Sequence, residues 1–131
     1  MDVYWLGSGF GLVLQEIGGG RMKFTITRHN WGIGKLLDEY GKRCVIGQCL
    51  SQMGWQDFEL KSQSYPVEVM CDEPDGIFTY QDDNGEIFHS TLTDKAIHIN
   101  DLESPRATRR NKERALSGLF AKYGHVLEFV D

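Results

Sequence analysis

Three cysteines and four histidines are the side chains of this sequence best suited to nucleophilic or metal chemistry: Cys44, Cys49, Cys71, His29, His89, His98 and His125. Their spacing argues against zinc. Cys44 and Cys49 are separated by four residues, and no CxxC or HxxxH accompanies them. Only Cys71, His89 and His98 remain to converge through the fold. A nucleophilic thiol would need a histidine base and a group to orient it. Cys44 opens an expected helix, whose dipole favours a thiolate. Against this, Cys44 to Leu50 is largely apolar, and free Cys is among the most buried residue types. Core thiols in a reducing compartment are the expectation, with no metal and no cofactor. Asp82-Asp83-Asn84-Gly85 fails as a calcium loop, because Tyr80 and Thr91 hold its first and last ligand positions. Gly7-Ser8-Gly9-Phe10-Gly11 is not a dinucleotide fingerprint, and neither a nucleophile elbow nor a phosphate-cradling loop is present. No constellation names a reaction, and the sequence leans away from an enzyme.

Charge offers more. The net charge of -5 hides a strong polarity. Residues 71–103 carry nine acids, Asp82 and Asp83 among them, against Lys95 alone, a net of -8. Residues 104–123 carry Arg106, Arg109, Arg110, Lys112, Arg114 and Lys122 against Glu113, a net of +5. Arg106, Arg110 and Arg114 recur every four residues, so a helix over them places all three on one face. Such a stripe can dock on phosphates or on an acidic partner; the plainer alternative is a solvated helix facing its own acidic segment. The acidic segment could in turn mimic nucleic-acid phosphates. Arg28, Arg43 and Arg110 could converge on phosphates through the fold. Trp31 and Trp55 follow the ends of elements, where a half-exposed ring can anchor a partner or close over a core.

These residues need a scaffold, and 131 residues make one domain. At 40% hydrophobic and 25% charged residues the composition is globular, and no apolar run spans a bilayer. Alternation in Lys23 to Thr27 predicts a half-buried strand with Phe24 and Ile26 inward. Leu36 to Cys44 reads as a tight hairpin turning at Gly41. Apolar residues at 45, 46, 49, 50 and 53 predict a helix capped by Gly54. Gln56 to Pro66 reads as polar connection. Asn84-Gly85 between two apolar runs predicts a hairpin. Ser90 or Thr91 caps a short helix through Ile99. Ser104-Pro105 reads as the start of a helix that runs to Tyr123, with Leu116, Leu119, Phe120 and Tyr123 inward and Gly124 as cap. Val126 to Val130 is a last strand. The fold class is α+β: a short antiparallel sheet with hairpins, one central helix, and a C-terminal helix followed by a strand.

Residues 1–21 read as an N-terminal leader or extension, and residues 22–131 as the single α+β domain. Gly18-Gly19-Gly20-Arg21 stands just before Met22, and purine-rich codons for Gly and Arg can spell a bacterial ribosome-binding site. The expectation is that the natural product starts at Met22; the alternative is an ordinary N-terminal strand or hairpin.

From Met22 onward the chain resembles a loose family of small phage and prophage proteins of undescribed function. The resemblance rests on the strand Met22 to Trp31, on Leu36-Leu37-Asp38, on Gly41-Lys42-Arg43-Cys44 and Gly47, and on Asn100-Asp101, Glu113-Arg114, Phe120, Gly124 and Val126 to Val130. It covers residues 22–53 and 97–131. That family tends to carry two adjacent cysteines where this chain has Cys44-Val45, which weakens a thiol or metal role. The resemblance implies a viral origin and no stated activity. The resulting expectation is a phage-encoded accessory protein of the host cytoplasm. It would bind and modulate or inhibit a host protein or protein–nucleic-acid complex, such as a defence system. Nucleic acid could meet the basic helix directly, and no membrane is involved. A nucleotide-binding or nucleotide-processing protein and a minor virion component are the alternatives.

Overall fold

The structure, a computed structural model, describes residues 2–5, 13–61, 63 and 76–131. Cys71, Asp72, Glu73, Asp75 and the Gly7 to Gly11 run lie outside the described residues. The chain runs through β1 (Asp2–Trp5), β2 (Val13–Gly18), β3 (Arg21–Thr27), a 3-10 turn (Arg28–Asn30), α1 (Val45–Gln52), α2 (Asp57–Leu60), β4 (Thr79–Gln81), β5 (Ile87–His89), α3 (Thr91–Asp101), α4 (Arg109–Lys122) and β6 (Val126–Val130). This is an α+β domain.

The main sheet has the order β1-β2-β3-β6. The first two pairs are antiparallel, and Gly18-Gly19-Gly20 turns the chain from β2 into β3. β6 then joins β3 in parallel, with Lys23 opposite Val126 and Thr27 opposite Val130. The sheet is therefore mixed where a purely antiparallel one was expected. A parallel pair needs a long crossover, and here everything from the 3-10 turn to α4 lies between the two strands.

Phe24 and Ile26 project from β3 into the core, as their alternation requires. They meet α1 and α4 there, together with Ile46, Leu50, Leu116 and Phe120. Phe24 packs edge-on to Phe120 and tilted against Phe78, with ring centroids 6.2 and 5.8 Å apart. Such pairs contribute about 0.5–1.5 kcal/mol beyond the area they bury.

α1 approaches the sheet through two fully buried glutamines. The β2–β3 register ends at Lys23, so Thr25 and Thr27 of β3 lie beyond the last β2 partner. Gln52 accepts from Thr25 N–H at 2.8 Å and donates to Thr25 C=O at 2.7 Å. Gln48, one turn earlier, does the same for Thr27 at 2.7 and 3.1 Å. Two side-chain amides thus stand in for a missing strand, satisfying backbone groups that would otherwise be costly to leave unpaired. Gly47 lets the helix come close to residue 36: a Cβ there would lie 1.9 Å from Leu36 O.

The segment Leu36 to Cys44 turns at Gly41 as expected, but it does not form a two-stranded hairpin. The turn is closed locally, with Asp38 N–H donating to Lys42 C=O at 2.8 Å, but the bridges of its arms run elsewhere, Arg43 to Trp31 and Leu37 to Lys61, both in parallel. The presumed connection after Gln56 contains the single-turn α2, held by a reciprocal capping box between Gln56 and Glu59. The hairpin around Asn84-Gly85 forms, but with a five-residue loop. Asp82 Oδ1 accepts from the amides of Asn84 and Glu86 and shapes it. Ser90 caps α3, its hydroxyl accepting from Thr93 N–H at 3.2 Å. Among the described residues, no helix is long and apolar enough to cross a membrane.

Candidate functional site

Asn100, in the last turn of α3, organises the part of the surface with the most unusual chemistry. Its Oδ1 accepts from Trp31 Nε1–H at 2.6 Å and from the Val45 amide at 2.9 Å. Its Nδ2 donates to Gly32 C=O at 3.0 Å and to Asp101 Oδ1 at 2.9 Å. All four hydrogen-bonding positions of the side chain are therefore used. One amide ties the loop after β3, the start of α1 and the end of α3 together. Asp101 is held in turn by the Gly34 amide at 2.9 Å.

Two cations from the first turn of α4 close over this hub. Lys112, only 9% exposed, donates from Nζ to Asn100 C=O at 2.7 Å. Arg109 lays its guanidinium over the Trp31 ring, 5.1 Å from the centroid, and donates to the carbonyls of Arg28 and Trp31 at 3.1 Å each. Both cations rest on carbonyls, and neither has a carboxylate within ion-pair distance among the described residues. Between them and the Trp31-Gly32-Ile33 loop opens a cavity of about 180 Å3.

The basic stripe is only partly as expected. Ser104-Pro105 makes a turn, closed by Ala107 N–H on Ser104 C=O, and does not start the helix. Thr108 takes the cap, its hydroxyl accepting from Asn111 N–H at 3.2 Å. Arg106 therefore lies in that turn, outside the helix, and the three-arginine helical face reduces to Arg110 and Arg114. All three are exposed. None pairs with a carboxylate of residues 76–103 among the described residues. The helix is not neutralised by the described part of the acidic segment. The chain matches no family model, no curated protein and no solved structure.

The remaining sequence candidates take structural positions. Arg28 clamps Glu113 with two nitrogens at 2.8 and 2.9 Å and reaches Asp131 at 3.1 Å, which ties the 3-10 turn to α4 and the C-terminus. Buried Arg43 holds Asp57 at 2.6 Å and Ser51 Oγ at 3.1 Å, joining α1 to α2. These two arginines are drawn to different carboxylates of the chain, so Arg28, Arg43 and Arg110 do not share one phosphate cradle. Trp31 is 4% exposed, bonded to Asn100 and packed tilted against Phe129, with ring centroids 5.3 Å apart. It walls the cavity and cannot anchor a partner from the surface. Trp55 packs half-buried against the core. Asp82 builds its loop, while Asp83 is exposed at the tip.

Cys44 and Cys49 are not poised for attack. Burial pushes Cys44 up to about 12, overriding the Gly47 amide that bonds its Sγ at 3.4 Å, and pushes Cys49 well above its ordinary range. The dipole argument for a Cys44 thiolate loses to desolvation. Burial likewise lowers His125, whose Nδ1 accepts from the Met22 amide at 3.0 Å. No cluster of three metal-ligating side chains occurs among the described residues.

Asn100, Arg109 and Lys112 were missed as site residues. Asn100-Asp101 reads as a simple turn, and the two cations were counted only in a charge total. One signal was present: residues 109 and 112 share a helix face with the core residues Leu116 and Phe120. A lysine on an apolar stripe is the anomaly to follow.

Proposed function

We propose that this is a phage-encoded accessory protein that works by binding. It seats the outer basic face of α4 on an acidic surface of a host protein in the host cytoplasm and so modulates or inhibits it. One observation carries this reading: Arg106, Arg110 and Arg114 are exposed, and no carboxylate lies within ion-pair distance of them among the described residues. Elsewhere in the fold Arg28 and Arg43 both hold carboxylates. Exposed like charges at one-turn spacing repel by a few tenths of a kcal/mol, and an acidic partner relieves that repulsion and speeds encounter. The resemblance of residues 22–53 and 97–131 to phage proteins supports the viral origin and thereby the host target.

Affinity capture from host lysate, with mass spectrometry, tests the reading. The expected result is a saturable protein partner that is released by salt and lost in the R110E/R114E double variant. Capture that survives charge reversal, or no saturable partner across several hosts, overturns it. A nuclease-sensitive capture would place nucleic acid, not protein, on α4.

A further inference from the structure

We infer that the cavity between the Trp31-Gly32-Ile33 loop and the first turn of α4 is a binding site for a phosphate group, with Lys112 and Arg109 as its cationic ligands. This site lies on a different face of α4 from Arg110 and Arg114 and is independent of the docking reading above.

The decisive group is Lys112. An ammonium carries three N–H donors. One goes to Asn100 C=O at 2.7 Å, and no further acceptor lies within hydrogen-bond distance among the described residues. The side chain is 9% exposed and lines the cavity. Buried lysines are almost always paired, because desolvating an unpaired charge is expensive. Here a carbonyl supplies only a partial negative charge, and the side chain lines the cavity. Asp101 is near in sequence to Asn100, but neither of its carboxylate oxygens lies within ion-pair distance of Lys112.

Arg109 supplies the second positive charge from the rim. Its two carbonyl bonds and the Trp31 ring fix the guanidinium plane, so little side-chain freedom is lost when an anion arrives. The amides of Arg109 and Arg110 have no hydrogen-bond partner within the described residues and belong to the positive end of a fourteen-residue helix. Two fixed cations beside a helix N-terminus match a group that carries about -1.5 to -2 charge at neutral pH with three acceptor oxygens, as a phosphate monoester does. A lone carboxylate would satisfy half of that charge. At about 180 Å3 the cavity holds the phosphate, and its open mouth leaves the rest of an ester outside.

The test is a titration of the full-length protein with sodium phosphate, AMP, acetate and chloride at matched ionic strength. The readouts are the Trp31 indole N–H resonance and the thermal midpoint. Saturable shifts with phosphate or AMP, absent with chloride and acetate, are expected. Tighter binding of AMP assigns the site to a phosphate ester, and equal or weaker binding to the free ion. Lys112→Met keeps the aliphatic stem and is expected to weaken binding at least tenfold. If that variant fails to fold, Arg109→Gln at the exposed rim is expected to weaken it severalfold with the fold retained. A linear response shared with chloride, acetate saturating as tightly as phosphate, or unchanged affinity in a folded variant overturns the proposal.

Discussion

Gln48 and Gln52 make a stability prediction that can be worked from their contacts. Gln48→Met keeps the side chain close to its length and removes both bonds to Thr27. A buried backbone group left without a partner costs about 1–3 kcal/mol, so two such groups cost about 2–6 kcal/mol. Thr27 is half-buried, which lets water reach part of the exposed edge, and Met gains some transfer energy. A loss of about 2–4 kcal/mol is expected. With a urea slope of about 2 kcal/mol per molar, the middle of the range for a small protein, the midpoint falls by about 1–2 M. Gln52→Met behaves alike through Thr25. Equilibrium urea unfolding followed by circular dichroism measures both, with exposed Lys95→Met as the surface control at about 0.5 kcal/mol or less. If Gln48→Met costs no more than Lys95→Met, the amides do not substitute for a strand and the account of this sheet edge fails.

Gly47→Ala should cost about 3 kcal/mol, the upper range of overpacking, because the clash at Leu36 O is with backbone and no rotamer relieves it; a thermal midpoint equal to the parent's contradicts this close approach. His125 should make stability fall with acid. Burial lowers its folded value, so the unfolded chain takes the proton first. Its contribution is therefore full above about 6.5 and is lost progressively as pH drops below that. His125→Asn, which can still accept from the Met22 amide, should flatten the dependence between pH 7.5 and 5, and an unchanged slope refutes the assignment. In a Cys71→Ser background, the raised values of Cys44 and Cys49 predict no reaction with a thiol-disulfide reagent at pH 8 until denaturant is added; rapid release in native buffer would show that the thiols are accessible.

Several local signals in the sequence were sound. Alternation placed Phe24 and Ile26 in the core, the apolar spacing of residues 45–53 located α1, Asn84-Gly85 located the hairpin, and Gly54 and Gly124 followed their helices. Where two local signals competed, tertiary contacts decided. Ser104-Pro105 is a good helix start, but Thr108 caps instead. From there Arg109 reaches the carbonyls of Arg28 and Trp31, and Lys112 reaches Asn100. The glutamines were illegible for a similar reason. A period-based reading counts Gln as solvent-facing, and only the end of the β2–β3 register explains why Gln48 and Gln52 turn inward. The candidate site was the least legible. Its hub is an asparagine whose partners are separated by 55 and 69 residues, and no short motif records that convergence.

The parallel pairing of β3 with β6 also fixes when this protein can fold. The partner of Thr25 is Glu128, so more than a hundred residues must be closed into a loop before the central strand is complete. The entropy of that closure grows only as the logarithm of loop length, but it must be met before the sheet returns any stability. During synthesis β3 emerges with one edge bare, and its cover, β6, arrives about a hundred residues later. The β3–β6 seam therefore cannot form until Val126–Val130 has been made. A chain that stops within α4 lacks β6 and Leu127 and so leaves Phe24 and Ile26 without part of their cover, the condition in which a protease finds an open chain.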